Sequence, residues 1–302
     1  MPDAPRAPEG GAPAEAPHDA RPWYRRDPIV RTLVSDPWTL LGAAIVVAFL
    51  LMAILAPWLA PTDPERGSII ARLEPPSAEH WLGTDGLGRD LLSRILYGAR
   101  LSALIGVLAI VVSGVIGTAL GALAGYFEGW VDTIVGRTVD TLLAFPGILL
   151  AILVLAVLGP GLDSVILAVG IFGIPTYARV VRATVLTVKQ FDFVEAAQAL
   201  GARHLAILAK HVMRNSWAPI IVLTSLNFGT AVLTASALSF LGVGVQPPSP
   251  EWGAIIAEGR QYIRVAPHIT TITGLFIFAT VLGFNLLGDG LRDATDPRTQ
   301  NR

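Results

Sequence analysis

The chain is 302 residues long, 53% hydrophobic and only 15% charged, with a net charge of −1 and no cysteine. That balance is too apolar and too sparsely charged for a water-soluble domain, and the lack of thiols excludes disulfides, thiolate metal centres and cysteine nucleophiles. A net charge this small selects no partner, and no nucleic acid is expected.

The chain opens on MPDAPRAPEGGAPAEAPHDARP, rich in Pro, Ala and Gly with mixed charges. Such a composition buries too little apolar surface to order itself, so residues 1–30 are expected to be a disordered tail. They do not read as a secretory signal. The first apolar run begins only near residue 38 and is too long for a cleavable segment, so it is expected to stay as a membrane anchor.

A hydrocarbon core about 30 Å thick needs roughly 20 apolar helical residues. Six runs meet that test, at about residues 38–60, 101–125, 141–159, 164–188, 219–242 and 269–288. The fourth closes on TYARVVRATVLTV. Arg179 and Arg182 would each cost about 2.5–3.5 kcal/mol at a helix centre, which puts them near its water-facing end. With six spans both termini share one side, and the segments on that side carry 15 Lys and Arg against 7 opposite. The termini and the loop at 189–217 are therefore expected to be cytoplasmic. The organisation expected is all-α: a tail (1–30), a first transmembrane helix with an outer loop (31–100), and a five-helix transmembrane domain (101–298) carrying the loop 189–217.

In the outer loop, HWLGTDGLGRD places Gly83, Gly86 and Gly88 for tight turns and Asp90 to cap the helix starting LLSRIL. His80, Asp85 and Asp90 match no standard metal-ligand spacing, and turn geometry accounts for them better. The second span carries Gly117, Gly121 and Gly125, a small-residue spacing that lets helices approach closely in lipid. Pro146 and Pro175 lie inside spans and predict kinks.

The loop EAAQALGARHLAILAKHVMRNSWAPI alternates apolar Leu205, Leu208 and Val212 with Arg203, Lys210 and Arg214. That is an amphipathic helical pattern, and Gly201 marks a turn between two short helices. Its physics fits either a helix lying on anionic lipid or a docking element for a cytoplasmic partner. Beyond it, QPPSPEWGAIIAEGRQYI ends the fifth span on prolines and starts a second amphipathic helix with Trp252, Ile255, Ile256 and Ile263. Trp252 and Tyr262 suit the outer membrane–water interface, the alternative being a lid or a receptor contact. Ser225, Asn227, Thr230, Thr234, Ser236, Ser239 and Asn285 are polar positions in spans five and six that can face a path or bond to a neighbouring helix.

Lys189 is followed by Gln and Lys210 by His, so neither completes a phosphate-binding P-loop. The span cores are nearly free of acids, Asp163 lies at a boundary, and the five histidines are scattered. An enzyme is not expected.

Glu195-Ala196-Ala197, three residues and then Gly201 resembles the EAA loop of ABC importer permeases. That family's pattern closes on Leu-Pro, whereas Met213-Arg214 stands here. Segments 80–102, 237–256 and 284–298 resemble the C-type permeases of the dipeptide, oligopeptide and nickel importers, and the resemblance spans about residues 30–298. It implies a type I importer permease fold forming half of a translocation path in the inner membrane. Coupling to ATPases would fall to Glu195, Ala196, Ala197, Gly201, Arg203, His204, Leu205 and Leu208, and the path to Ser225, Asn227, Thr230, Thr234 and Asn285. The implied partners are a B-type permease, two cytoplasmic ATPase subunits that bind ATP and Mg, and an extracytoplasmic binding protein; the chain itself carries no cofactor. Peptides are the substrate class implied, with glutathione-like compounds or nickel chelates as alternatives. A secondary transporter is the alternative of another class, but repeated halves with intramembrane ion ligands are not visible; a membrane-embedded enzyme or scaffold is a third.

Overall fold

The computed structural model describes residues 35–295; the expected tail at 1–30 lies outside the described residues. Five helices among them are long and apolar enough to cross a membrane, and a bent pair makes a sixth if counted as one span.

The first, α1 (Pro37–Leu59), is capped by Asp36, whose carboxylate accepts from the backbone N–H of Thr39 at 2.8 Å. Its outward face is apolar throughout, with Leu40, Leu41, Val47, Leu50, Leu51 and Ile54 exposed. The second, α2 (Leu91–Phe127), starts ten residues before the predicted span because Asp90 caps it as expected, accepting from the Ser93 N–H at 2.8 Å. One continuous helix thus crosses the domain boundary expected at residue 100. Its glycine ridge meets α5 (Leu162–Val188) closely: a methyl at Gly117 would fall 2.5 Å from Tyr177 Cβ, and one at Gly121 2.4 Å from the Ala178 carbonyl.

The third predicted span, 141–159, is not a single helix. The chain instead forms α3 (Gly129–Ala144) and α4 (Gly147–Leu158), bent by 94°. Phe145 sits in the extended region before Pro146, whose ring disfavours helical geometry at the preceding residue. Gly147 then packs against the Phe172 ring, where a Cβ would approach to 2.0 Å. Pro175, by contrast, lies within the continuous α5.

After α5 come the short α6 (Asp192–Ala199) and α7 (His204–Ile207), a π-helical turn at Leu208–Val212, and α8 (Met213–Asn215). The long α9 (Trp217–Phe240), α10 (Trp252–Gly259) and α11 (Pro267–Thr295) complete the chain.

Trp252 is not an interfacial anchor. It is fully buried beside Phe49 and Ile255, and its indole N–H donates to the Ile95 carbonyl at 3.0 Å. Gly98 makes room for it, since a Cβ there would lie 2.5 Å from the indole. Tyr262 is half-buried and its hydroxyl accepts from Arg72 at 3.1 Å, while Ile263 falls beyond α10 and is exposed.

Candidate coupling and translocation site

The loop 189–217 folds as a hairpin of short helices. Asp192 and Glu195 occupy the first turn of α6, where carboxylates complement the helix dipole. Its end is a full Schellman closure: the Ala202 N–H donates to the Ala197 carbonyl at 3.1 Å and the Gly201 N–H to Gln198 at 2.9 Å. That motif requires a left-handed residue, and Gly201 supplies φ +77°. Val194, Ile207, Leu208 and Val212 bury against Tyr126, Tyr177, Val181 and Val185, fixing the hairpin to α2 and α5.

The predicted apolar stripe needs one correction. Leu208 and Val212 are buried, but Leu205 is 64% exposed, and Ile207 takes the inward place. The π-turn widens the helix just beyond α7, so Ile207, Leu208 and Val212 share the inner face. Glu195, Ala196, Gly201, Arg203 and His204 are also exposed, with Ala197 half-buried. Where the family has Leu-Pro, the chain runs on through Met213-Arg214 and breaks at Ser216, whose hydroxyl donates to the Val212 carbonyl at 2.9 Å.

Tyr126, in the last turn of α2, is the anchor. Its hydroxyl pairs with His204 Nδ1 at 3.1 Å, and its carbonyl accepts from Lys189 Nζ at 2.7 Å. Lys189 also pairs with Glu128 at 2.8 Å.

The polar positions of α9 and α11 separate into different roles. Ser225 donates across to the Phe284 carbonyl at 3.1 Å. Asn227 and Thr230 line a cavity of about 70 Å³ between α2, α5 and α9, together with Ser113, Phe172 and Thr176. Thr234 and Asn285 are half-buried and do not line it.

Beside the expected water-facing Arg179, residues on α5 that spacing alone did not single out share its face. Thr176, Arg179, Ala183 and Thr187 form an exposed stripe, legible as a helical period only once the helix is known. Arg179 pairs with Asp140 at 3.2 Å, and Arg182 donates from Nε and Nη2, one edge of its guanidinium, to the two carboxylate oxygens of Asp132, the Nη2 contact at 2.6 Å. These two arginines are thus held by acids of α3, around a cavity of about 280 Å³ that Arg137 also lines.

At the opposite end, Asp85 accepts from Arg89 Nε at 2.6 Å and from Arg94, and Glu258 on α10 accepts from both arginines at 2.7 Å. Burial pushes the Asp85 carboxyl up, but Arg94, the Arg89 N–H and charge and the Leu87 N–H together hold it below its ordinary value. Glu251 caps α10, accepting from the Ala254 N–H and the Ser236 hydroxyl at 3.0 Å each. It is fully buried without a cation among its contacts, and burial pushes its carboxyl up despite the donors facing it. His80 pairs with Asp90 at 3.0 Å. Among the described residues there is no cluster of three metal-ligating side chains.

The described residues thus form a bundle of apolar helices with a braced, exposed helical hairpin between α5 and α9. Residues 117–301 match the family described as binding-protein-dependent transport system inner membrane component, and residues 28–76 match the N-terminal transmembrane domain of oligopeptide transport permease C. The chain belongs to the binding-protein-dependent permease family: it is a multi-pass inner-membrane permease subunit and not an enzyme, ATP hydrolysis residing on separate subunits. It is 46% identical over 285 residues to a glutathione transport system permease protein of Pectobacterium atrosepticum, covering 91% of this chain and 95% of the relative. It is 44% identical over 271 residues to a dipeptide transport system permease protein of Alkalihalophilus pseudofirmus, covering 90% and 89%. Its fold matches an inward-facing structure of the MetNI methionine ABC transporter with a TM-score of 0.53 at 20% identity, over 68% of this chain and 97% of that one.

Proposed function

We propose that this permease forms one half of a path for di- or oligopeptides, handed over by an extracytoplasmic binding protein. The other half is a B-type permease. Two cytoplasmic ATPase subunits bind ATP and Mg and drive the cycle. The names of the dipeptide and glutathione permeases support the substrate class, because both kinds of compound carry peptide groups between charged ends. The charge asymmetry of the chain supports cytoplasmic termini and a cytoplasmic hairpin.

The observation that carries the coupling role is the tip of the hairpin. Leu200 is 89% and Leu205 64% exposed on either side of the Gly201 turn, while the base of the same hairpin is packed against α2 and α5. Apolar side chains held out rigidly on a braced turn suit insertion into a protein cleft. Glu195 and Arg203 supply charge at its rim, Ala196 and Ala197 keep α6 slim, and His204 and Leu208 fix the turn to the bundle.

The test is a Leu200→Glu, Leu205→Glu double variant in the full importer. ATPase co-purification and labelled dipeptide uptake are expected to be lost at a normal membrane level of the permease. Wild-type uptake with the ATPase still bound would return the hairpin to a lipid-surface role, and a wild-type importer that takes up no peptide would overturn the substrate.

A further inference from the structure

The outward faces of the long helices are not alike. On α1 that face is Leu, Val and Ile, as contact with lipid demands. On α5 it runs Thr176, Arg179, Ala183 and Thr187, and on α9 Thr230 is exposed beside it. A membrane helix keeps such groups away from hydrocarbon, toward water or protein. This face therefore turns to water or to another subunit.

Set into that face is the cavity of about 70 Å³ under Asn227, Thr230, Thr176 and Ser113. At about 30 Å³ per water in the liquid, it has room for roughly two waters or one small polar group. Its hydrogen-bonding capacity is uneven. Asn227 Nδ2 is buried and makes no hydrogen bond within 3.5 Å, its amide facing the Tyr177 hydroxyl at the edge of the cavity. Ser113 gives its own proton to the Ala109 carbonyl at 2.9 Å, and Thr230 gives its proton weakly to Leu226 at 3.4 Å, so both oxygens are left to accept.

We infer that this cavity is a subsite of the translocation path that takes a backbone peptide group of the substrate. A peptide group presents one carbonyl acceptor and one N–H donor side by side. Asn227 Nδ2 donates to the carbonyl, and a hydroxyl oxygen of Ser113 or Thr230 accepts from the N–H. An ester in place of that amide keeps the first bond and loses the second. The subsite thus selects for the feature shared by all peptides and is indifferent to their side chains. The inference rests on the peptide-import reading and goes beyond it by naming where the amide is recognised.

The experiment uses the complete importer in proteoliposomes, with its binding protein, and compares uptake of a labelled dipeptide with that of its ester isostere. The binding protein is the same throughout, so any change in the amide-to-ester ratio between permease variants belongs to the permease. Thr230→Val and Ser113→Ala together, which remove the accepting oxygens, are expected to lower the ratio about five- to tenfold, the size of one net hydrogen bond. Asn227→Leu is expected to slow both substrates. An unchanged ratio in the double variant, whatever its rate, overturns the subsite. Should the ester be delivered too poorly to measure, or the double variant fail to insert, Thr230→Cys in this cysteine-free chain decides: dipeptide turnover protects it from a thiol reagent if the subsite is occupied, and absence of protection overturns it. A wild-type importer that moves no peptide would instead remove the peptide reading itself, and this inference with it.

Discussion

The imidazole of His204 lies 3.1 Å from the hydroxyl of Tyr126, joining the second arm of the hairpin to the end of α2. Tyr126→Phe removes that bond and keeps the ring, a loss of about 0.5–1.5 kcal/mol. The hairpin should stay folded on its apolar base but shift more freely. The expected outcome is unchanged ATPase co-purification with fewer substrates moved per ATP. An unchanged transport-to-hydrolysis ratio in proteoliposomes would show that the contact does not take part in coupling.

At Gly201 the expected penalty is conformational. A Cβ there would meet nothing within 4 Å, so only φ +77° opposes a side chain. Left-handed backbone costs an L-residue roughly 1–2 kcal/mol, less for Asn. Uptake should therefore fall in the order Gly201, Asn, Ala, Val, with membrane levels alike. A variant series that tracked side-chain volume instead would point to a clash with the docked subunit.

Asp85 neutralises Arg94, a guanidinium with no exposed side-chain surface. Breaking one partner of a buried pair costs about 3–5 kcal/mol. Asp85→Ala should lower the permease level in membranes and its melting temperature in detergent, and Asp85→Glu should recover part of both. The pH sign follows from a depressed carboxyl: its stabilisation is present above the unfolded value and is lost as pH falls through the folded one. Thermal stability across acid pH, flatter in Asp85→Asn than in wild type, checks this.

Glu251 carries the opposite sign. Its carboxyl is raised by burial, so its contribution is complete below the unfolded value and declines as pH rises toward the folded one. Glu251→Gln should remove that decline and match or exceed wild-type stability at neutral pH. Glu251→Ala should be worse at every pH, because the cap on Ala254 and the bond to Ser236 are lost with it. Melting curves from pH 5 to 8 separate the two, and a wild-type curve that rises over that interval would refute the assignment.

Sidedness can be read from Ile70, 95% exposed in the outer loop, and from Leu205. Cysteine at Ile70 should react with an impermeant thiol reagent added outside whole cells, and cysteine at Leu205 only after the membrane is opened. Labelling of residue 205 from outside would invert the topology.

Much of this architecture was legible because it rests on local physics. Runs of some 20 apolar residues located α1, α5, α9 and α11, Asp90 announced the start of α2, and Gly201 marked its turn. What stayed hidden depends on contacts between distant segments. Pro146 signals a kink, but the 94° elbow also needs Gly147 against Phe172. Trp252 sits in an amphipathic helix near a membrane boundary and so reads as interfacial; only the gap opened by Gly98 buries it. Glu258 reaches Arg94 across 164 residues, a pairing with no signature in spacing. Among the candidate path residues, Ser225 and Asn227 are alike in sequence terms, yet one bonds across to α11 and the other turns its amide toward Tyr177 and a small cavity.

The 37 residues of α2 contain no proline and run without a break, a length of about 55 Å against a hydrocarbon core of about 30 Å. One end carries Arg94 in its ionic clamp and the other carries Tyr126 under the hairpin. On the coupling reading proposed above, a rod so much longer than the membrane is thick would work as a driveshaft: rotation or tilt imposed at Tyr126 would reach Arg94 without an intervening hinge, and the ATP-driven stroke and the opening toward the binding protein would be two ends of one motion.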